Sequence, residues 1–362
     1  MPIQNGKYIN PGWNNGAPPA IDSTELNAIS DTLENLDAGG GSGGGDGKRY
    51  ARFVIGTSTN GWTAADCDYL CDGVDDQVEI NQAIEALSSE SAFSGYRGKI
   101  VLLDGEYHLG GQLSLLNGIS MEGTGGTKLV RGTTGPSYMI GVMNGSIKNI
   151  IYDGNSDIFL SGPSSAAEIV LSYNSTITEC TIYNFHNIAI STETANTVSP
   201  AYITKNKIGG TMSGGLTGIN VQNSSLIYIE SNLISVSETM ISVDGTNITG
   251  NVPAQTYILW NTCGGAGSGT ISLNHAEGCY VVGNSCRRIV LENTDGGSQL
   301  LGSVISHNQF IYSSPLDGAF ISLGQGTGWN IVSSNLMRSF GGTGTIQDNG
   351  SNNLVVNNIT GD

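Results

Sequence analysis

From about residue 100 to the C-terminus, one short pattern of apolar and polar positions recurs. An aliphatic residue is followed three positions later by Asn or a substitute, and often two positions further on by another apolar residue. The aliphatic members are Val101, Ile119, Ile150, Ile177, Ile203, Ile229, Ile258, Val281, Ile305, Val332 and Leu354. The polar members are Asp104, Glu122, Asp153, Cys180, Asn206, Asn232, Asn261, Asn284, Asn308, Asn335 and Asn357. The Asn series recurs about every 25 residues, and a repeat of this length indicates a solenoid.

The repeat predicts strands rather than helices. Its apolar positions are mostly β-branched and its segments are short. A second aliphatic pair recurs with the period of two that a half-buried strand has: Ile188/Ile190, Ile219/Val221, Ile241/Val243, Ile271/Leu273, Ile289/Leu291 and Ile321/Leu323. Each repeat therefore supplies about three short strands, which make one coil of a single-stranded parallel β-helix. We expect an all-β fold with about 11 coils over residues 99–362.

The Asn series predicts a ladder of side-chain amides at a tight turn, where Asn tolerates left-handed backbone angles. The residues just before it vary: Tyr152, Glu179, Lys205, Ser231, Trp260, Gly283, His307 and Ser334. Such variability indicates a column that faces solvent. Trp260 and His307 are candidates for a shallow sugar-binding surface, because an exposed aromatic ring offers a face for a sugar to stack on. The alternative is an ordinary solvated face, since single exposed aromatic residues are common.

The composition agrees with a solenoid and limits the classes of possible binding partner. The chain has 53 Gly, 9 Pro and 12% charged residues, which suits many strands and turns. Its net charge of −17 makes nucleic acid and anionic membranes poor partners. The chain contains no apolar run long enough to cross a bilayer and no signal peptide with a basic n-region, so we expect neither a membrane span nor Sec export.

The six cysteines do not predict a disulfide framework in a chain of 362 residues. Cys263 and Cys286 take the place of Ile in neighbouring repeats, so we expect small buried apolar side chains. Cys67 and Cys71 lie four positions apart and are candidates for pairing only outside a reducing compartment. No zinc-ligand spacing is present, and we expect neither a metal nor a cofactor.

Residues 1–38 differ from the repeats. Trp13, Pro18 and Pro19 lie among small polar residues, as in an extended arm. Asp22 or Ser23 then caps a short helix whose apolar stripe has a/d spacing: Leu26, Ile29, Leu33 and Leu36. This stripe predicts self-association, and the alternative is a helix folded back on its own chain. Residues 39–47, GGGSGGGDG, are a flexible linker and a domain boundary.

Residues 48–98 predict a cap for the first coil. Arg52 to Gly56 forms a first strand, and a helix begins at Asp75 or Asp76. The apolar residues of its buried face are Val78, Ile80, Ala83, Ile84 and Leu87. An amphipathic helix laid across the open end would close the solenoid.

Two stretches resemble known families. DYLCDGVDDQVEINQAIEAL (68–87), followed by GKIVLLDGEYHLGGQLSLLNGISMEGTGGTKL (98–129), resembles the start of the pectate-lyase-like right-handed β-helix proteins of phages and prophages. GWNNGAPPAIDSTELNAISDTLENL (12–36) is similar to the N-terminal arm and helix of phage fibre and tail proteins. The resemblance implies a homotrimer attached to other virion proteins through residues 1–38, with Trp13, Pro18 and Pro19 as anchors. It also implies assembly in the host cytoplasm and exposure on the particle surface.

Relatives of this fold include polysaccharide lyases, glycoside hydrolases and tailspike depolymerases, so catalysis has to be weighed. The lyase type needs a calcium-binding acidic cluster and a base, and the basic residues of the coils do not pair with such a cluster. Of the galacturonase pattern the chain has Asn293-Thr294-Asp295 alone, which we interpret as a turn. A hydrolase needs two carboxylates facing one groove, and the remaining candidates are Asp153, Asp157 and Glu179.

Three functions are therefore compatible with the sequence. The favoured one is a trimeric phage fibre or spike that adsorbs to the host surface and contacts a cell-surface glycan. The second is a tailspike that depolymerises a polysaccharide, and the third is a secreted bacterial β-helix enzyme. No convincing acidic cluster is found, which favours the first.

Overall fold

The structure is a computed structural model in which the chain divides into two units, residues 1–49 and 50–362. It describes two short strands near the N-terminus and twelve longer ranges: 51–89, 95–132, 136–156, 167–193, 198–209, 217–222, 225–245, 255–264, 269–293, 300–312, 319–339 and 345–361. In the first unit, Ile3–Gln4 pairs with Lys7–Tyr8 in antiparallel orientation. Several sequence predictions lie outside the described residues: Trp13, Pro18, Pro19, Leu26, Ile29, Leu33, Leu36, the linker 39–47 and Asp157.

The second unit is an all-β parallel solenoid, as the sequence predicts. Every strand pair described in it is parallel, and the chain visits three sheets in turn. Sheet 1 contains Tyr69–Cys71, Ala51–Thr57, Gly98–Leu102, Ile119–Gly123, Ser146–Lys148, Ser175–Thr178, Val198–Thr204, Ser225–Glu230, Tyr257–Leu259, Tyr280–Val282, Val304–Ser306, Ile331–Ser333 and Leu354–Val356. Sheet 2 contains Gly105–Leu109, Thr127–Arg131, Ile151–Asp153, Thr181–Tyr183, Lys207–Gly209, Leu233–Ser235, Thr262–Cys263, Ser285–Cys286, Gln309–Tyr312, Leu336–Ser339 and Ile359–Gly361.

Sheet 3 completes each coil. It contains Leu113–Leu116, Ile140–Met143, Ala167–Ser172, Ile188–Glu193, Thr217–Gln222, Thr239–Asp244, Thr270–Asn274, Arg288–Glu292, Ile321–Leu323 and Ile346–Asp348. A short extra pair joins Leu300–Leu301 to Thr327–Gly328. The expected count of about 11 coils is slightly off: in the described part of the chain sheet 2 has 11 strands, but sheet 1 has 13 and sheet 3 has 10, so not every coil contributes one strand to each sheet.

The pairing register corrects the first and last members of the predicted repeat. The inward-facing column of sheet 1 consists of Ile100, Met121, Ile147, Ile177, Ile203, Ile229, Ile258, Val281, Ile305, Val332 and Val355. Val101, Ile119, Ile150 and Leu354 were therefore assigned to the wrong register. Aliphatic residues lie close together at both ends of the repeat, and only the hydrogen-bond register decides which of them occupies this column.

Asp153 consequently lies elsewhere than the Asn pattern placed it. It ends a strand of sheet 2 and pairs with Tyr183, whereas Ile150 and Cys180 occupy the turn between sheets 1 and 2. Tyr152, expected in the solvent-facing column, is buried at 1% exposure. The inward column of sheet 2 also contains Cys263 and Cys286, both buried as expected. All six cysteines are free thiols.

The predicted capping helix spans Gln77–Ser89 and packs on the first coils through Ile80, Ala83, Ile84 and Leu87. Val78, predicted to be buried, is 49% exposed. The carboxylate of Asp76 accepts hydrogen bonds from the backbone N–H groups of Gly73 and His108, each at 2.7 Å. This carboxylate thereby ties the start of the helix to the first strand of sheet 2. Within the described part of the chain, no helix is long and apolar enough to cross a membrane.

Candidate functional site

The turn between sheets 1 and 2 is held by a ladder of buried Asn amides. In each step the side-chain oxygen of one Asn accepts from both the backbone N–H and the Nδ2–H of the Asn in the preceding coil. Asn261 Oδ1, for example, lies 3.0 Å from the backbone nitrogen and 2.9 Å from Nδ2 of Asn232. Each Nδ2 also donates to a carbonyl of the previous coil, as Asn261 does to Ile229 at 2.9 Å. Because these amides are satisfied, they can be buried at low cost.

The ladder corrects two details of the sequence prediction. Its members are Asn206, Asn232, Asn261, Asn284, Asn308, Asn335 and Asn358, with Asn358 in place of the predicted Asn357. The left-handed backbone belongs to the residue before each Asn, as in Trp260 (φ 56°) and His307 (φ 54°). The buried Asn side chain is fixed by hydrogen bonds, so the preceding residue makes the sharp change of direction. Asn357 is one of these left-handed residues, with φ 53°.

A second, shorter ladder lies at the turn that leads into sheet 1, and the sequence pattern did not reveal it. Ser303 and Asn353 flank Asn330, whose Oδ1 accepts from the backbone N–H of Ser303 at 3.0 Å. The backbone N–H of Asn330 donates to Asn353 Oδ1 at 3.1 Å. Asn330 and Asn353 each precede a member of the first ladder by the same offset in sequence, and this offset was the available signal. In the C-terminal coils, the two ladders hold the turns at both ends of the sheet 1 strands.

The left-handed residues form a straight, exposed edge along the solenoid, which we call the glycan edge. Its members are Glu179, Lys205, Ser231, Trp260, Gly283, His307, Ser334 and Asn357. All are exposed except Gly283, which is half-buried. Because the coils stack about 4.8 Å apart, these side chains follow one another at that interval. The structure thus puts Trp260 and His307 on one edge, two coils apart.

The indole of Trp260 lies over Gly283 in the next coil. A Cβ atom at residue 283 would collide with Cε3 and Cζ3 of Trp260, so only Gly fits under the ring. Gly283 has φ 71°, a conformation that also favours Gly. Trp260 remains 59% exposed. The ring is therefore supported against the wall of the solenoid and stays accessible, and the Trp–Gly pair in successive repeats was the signal available in the sequence.

The strongest carboxylate cluster lies on the outer face of sheet 2. Lys128 Nζ lies 3.0 Å from Asp153 Oδ2 and 3.2 Å from Glu106 Oε2. Asp153 Oδ1 accepts from the backbone N–H of Asn155 at 3.0 Å and from Asn184 Nδ2 at 3.2 Å. Asp153 was a candidate from the sequence, whereas Glu106 was missed. Lys128 was counted among the basic residues that pair with no acidic cluster, and this was wrong. Glu106 and Lys128 pair across adjacent coils, and their separation by one repeat was the available signal.

In this cluster the ammonium of Lys128 is shared between two carboxylates. Burial acts to raise the pKa of Asp153, but the hydrogen bonds from Lys128 and Asn155 outweigh it and lower the pKa below its ordinary value. Burial likewise acts to lower the pKa of Lys128, and its bonds to Asp153 and Glu106 raise it instead. A glycosidase acid must be protonated near neutral pH. Asp153 is held ionised, so this geometry suits a structural ion pair better than acid catalysis.

Glu179 does not join this cluster. It lies on the glycan edge at the start of the strand Thr181–Tyr183, whereas Asp153 pairs with Tyr183 at the other end of that strand. Its carboxylate lies 3.5 Å from Lys148 Nζ, and both side chains are close to half exposed. The fold therefore does not bring Asp153 and Glu179 together as the pair proposed from the sequence.

A buried ion pair lies inside the same coils. Arg131 Nη1 lies 2.8 Å from Glu168 Oε2, and Tyr152 Oη donates to the same oxygen at 2.7 Å. Arg131, Glu168 and Tyr152 are each 1% exposed. Burial, together with the nearby carboxylate, raises the pKa of Tyr152, so this phenol remains protonated. Because all three side chains are buried and bonded to one another, we interpret the group as structural.

Cys71, Asp76 and Glu79 bring three possible ligand atoms within 4.8 Å of one another. Asp76 already uses both carboxylate oxygens to hold backbone N–H groups. Burial, followed by the charge of Asp76, raises the pKa of Cys71 far above its ordinary value. The hydrogen bonds of Asp76 are those of a helix cap, and the protonated thiol of Cys71 packs beside it.

No protein-family model matches the chain, and no curated protein matches it. Among solved structures, it is similar to ORF18 of Geobacillus virus E2, with TM-score 0.59 and 13% identity over 99% of this chain and 65% of that one. It is similar to the tailspike of E. coli bacteriophage HK620, solved with a pentasaccharide, with TM-score 0.55 and 15% identity over 79% and 61%. An Aspergillus tubingensis endo-xylogalacturonan hydrolase gives TM-score 0.54 and 16% identity over 80% and 92%. The chain thus spans less than two thirds of each viral protein, and at these identities the likeness establishes the shared fold.

Proposed function

We propose that this chain is a fibre or spike protein of a phage particle that binds a host-surface glycan along the glycan edge. The observation that carries the proposal is the indole of Trp260, exposed yet supported by Gly283. A rigid aromatic face is the surface on which a sugar ring stacks. The similarity in fold to a tailspike solved with a pentasaccharide is compatible with this role.

The rest of the edge suits an extended polymer. Lys205, Ser231, His307 and Ser334 offer hydrogen-bonding groups on both sides of Trp260, at intervals set by the stacking of the coils. Sugar hydroxyls both donate and accept hydrogen bonds, so a row of such groups beside one aromatic ring provides affinity and orientation. A linear polysaccharide lying parallel to the solenoid axis would contact several of them at once.

Assembly and attachment complete the proposal. Residues 1–38 attach the chain to other virion proteins through Trp13, Pro18 and Pro19, and the stripe Leu26, Ile29, Leu33 and Leu36 joins three copies. Three parallel edges on one spike would bind a repetitive glycan with an avidity above that of a single edge. The particle surface is the place where such an edge meets its ligand.

The test compares two exposed tryptophans of the same chain. Trp260→Ala should weaken binding to an immobilised panel of capsular, O-antigen and teichoic polysaccharides by about 10-fold, the effect of losing roughly 1.4 kcal/mol. Trp329→Ala is the control, because Trp329 is 64% exposed and also left-handed (φ 58°) but lies on the opposite edge of sheet 1. Equal losses in both variants, or none in either, would count against the glycan edge.

A second function, polysaccharide hydrolysis, is favoured by one observation. Glu106 and Asp153 both contact Lys128 Nζ, which limits the separation of their nearest oxygens to about 6 Å and so allows the roughly 5 Å spacing of a retaining glycosidase. The test is release of reducing ends from the same polysaccharides by the unmodified protein, Glu106→Gln and Asp153→Asn. We expect no release from any of them. Release that both substitutions abolish would make the hydrolase the better proposal.

A further inference from the structure

The outer face of sheet 1 carries a continuous stripe of aromatic and aliphatic side chains, which we call the tyrosine stripe. Its residues follow one another in register: Tyr202, Tyr228, Tyr257, Tyr280, Val304, Ile331 and Leu354. Successive tyrosine rings are stacked, with centroids 5.0, 4.8 and 5.0 Å apart. Ile331 is 41% exposed and Leu354 is 52% exposed. The outside of this sheet is thus partly apolar over seven coils.

The neighbouring outward column adds almost no charge to this surface. Its residues in the same seven coils are Thr204, Glu230, Leu259, Val282, Ser306, Ser333 and Val356. Glu230 is the one charged residue among these fourteen outward positions. The whole chain carries a net charge of −17. A strip of this length with a single charge differs from the rest of this acidic chain and is a candidate interaction surface.

The stacking of the tyrosines argues against a sugar as the occupant. Sugars stack on the faces of aromatic rings, and each ring in the middle of this stack has its faces covered by its neighbours, with interplanar angles of 11°, 3° and 5°. What remains accessible is a row of ring edges and hydroxyls beside aliphatic side chains. That mixture of apolar surface and hydroxyls resembles the aromatic-rich core of a protein interface.

We infer that the tyrosine stripe is where neighbouring copies of this chain contact one another along the solenoid. Copies with a charge of −17 repel each other wherever carboxylates face carboxylates, and this strip lets them approach without that penalty. The inference rests on the proposed function, because the stripe at Leu26 to Leu36 would hold copies side by side and in parallel. Parallel solenoids can then place the same sheet face toward a common axis.

The area of the strip is too small for it to hold the assembly together by itself. Six steps between seven coils give a length of about 29 Å, and two outward columns give a width of about 13 Å, or roughly 400 Å² per copy. A stable interface buries about 800 Å² per partner. The strip therefore contributes to assembly together with residues 1–38, which raise the effective concentration of one solenoid beside the next.

The experiment uses the full chain with two matched pairs of substitutions. Tyr280→Glu with Ile331→Glu places carboxylates on the strip. Leu233→Glu with Leu336→Glu places them on the outer face of sheet 2, where Leu233 is 45% exposed. In sedimentation equilibrium we expect the first pair to raise the dissociation constant of the assembly at least 10-fold and the second to leave it unchanged, with the same far-UV circular dichroism in all three proteins.

A second measurement protects the test against misfolding of the charged variant. Ile331→Cys should give covalent oligomers with a short bismaleimide, and Leu233→Cys should give no more than the unsubstituted chain, which controls for Cys67. An assembly that tolerates the strip charges, or equal crosslinking at both positions, overturns the inference and leaves the glycan edge untouched. A monomeric unsubstituted chain overturns both this inference and the proposed trimer, and Trp260→Ala still reports on glycan binding.

Discussion

The N-terminal coils, residues 98–183, and the C-terminal coils, residues 198–361, share one backbone plan and are stabilised differently. On the outer face of sheet 1, the N-terminal coils carry an ion pair between Lys99 and Glu122, and Lys148 on the same face pairs with Glu179 at the adjoining turn. The C-terminal coils carry the tyrosine stripe there. Inside, the N-terminal coils hold the buried pair of Arg131 and Glu168, and the C-terminal coils hold the Asn ladder.

The two halves together indicate that the inward columns specify the solenoid. Ile147 and Ile305 occupy equivalent positions in the two halves and are both buried, although the residues around them differ in charge. The outer faces are therefore free to vary without loss of the fold. On the outer face of sheet 1, Glu230 is the one charged residue in the two columns of the C-terminal coils, whereas the N-terminal coils carry an ion pair there, which points to a difference in what each half contacts.

Breaking the buried pair of the N-terminal coils should have the largest effect. Glu168→Gln leaves the guanidinium of Arg131, 1% exposed, without its carboxylate. We expect the free energy of unfolding to fall by about 3 to 5 kcal/mol, as when one partner of a buried ion pair is removed. Urea unfolding measures it, with Glu106→Gln as the exposed control. A loss below about 1 kcal/mol would show that the pair is not what holds these coils.

Breaking the Asn ladder of the C-terminal coils should lower the free energy of unfolding by a smaller amount. Asn261→Ala removes the acceptor for the backbone N–H and the Nδ2–H of Asn232 and the donor to the carbonyl of Ile229. Buried groups without partners cost about 1 to 3 kcal/mol. Ser231→Ala, on the exposed edge one coil earlier, should leave the urea midpoint unchanged. If the two substitutions had equal effects, the ladder would be dispensable.

The smallest expected effect is the loss of stability in acid that Asp153 causes in the N-terminal coils. The pKa of Asp153 is lowered in the folded chain, so its contribution to stability is present above the unfolded value of about 3.9 and is lost as pH falls through the folded pKa. Asp153→Asn should therefore lose less stability than the unsubstituted chain between pH 7 and pH 3, as measured by urea midpoints. A larger loss in the variant would contradict the assigned direction. Carboxyls that do not share Lys128 with Asp153 cancel in the comparison.

Much of the fold was predictable because a stacked coil requires the same kind of residue at the same place in every turn. The Asn residues from Asn206 to Asn335 are buried polar groups that satisfy one another only in register, so their spacing alone predicted a solenoid. The helix Gln77–Ser89 was predictable from its apolar spacing. The prediction that Val78 is buried was wrong, because the apolar pattern does not say how far the buried face extends at the end of a helix.

The candidate sites were less predictable. Asp153 was named correctly as a residue with close partners, but Lys128, which it binds, and Glu106, which binds the same Lys128, come from two earlier coils. Its supposed partner Glu179 lies at the wrong end of a strand. The tyrosine stripe was present in the sequence at the spacing of the repeat. Period-two alternation says that these tyrosines face away from the core and does not say that their rings stack.

The repeat, the all-β parallel solenoid, the capping helix and most members of the buried Asn ladder follow from the amino-acid sequence alone. These features depend on residue type and spacing within one coil, which is local information. The register of the first and last coils, the partners of Asp153, the support of Trp260 by Gly283 and the continuity of the tyrosine stripe emerge only in the folded chain. Each of these depends on which residues of different coils lie side by side, and hydrogen bonding between strands sets that alignment only when the whole stack has formed.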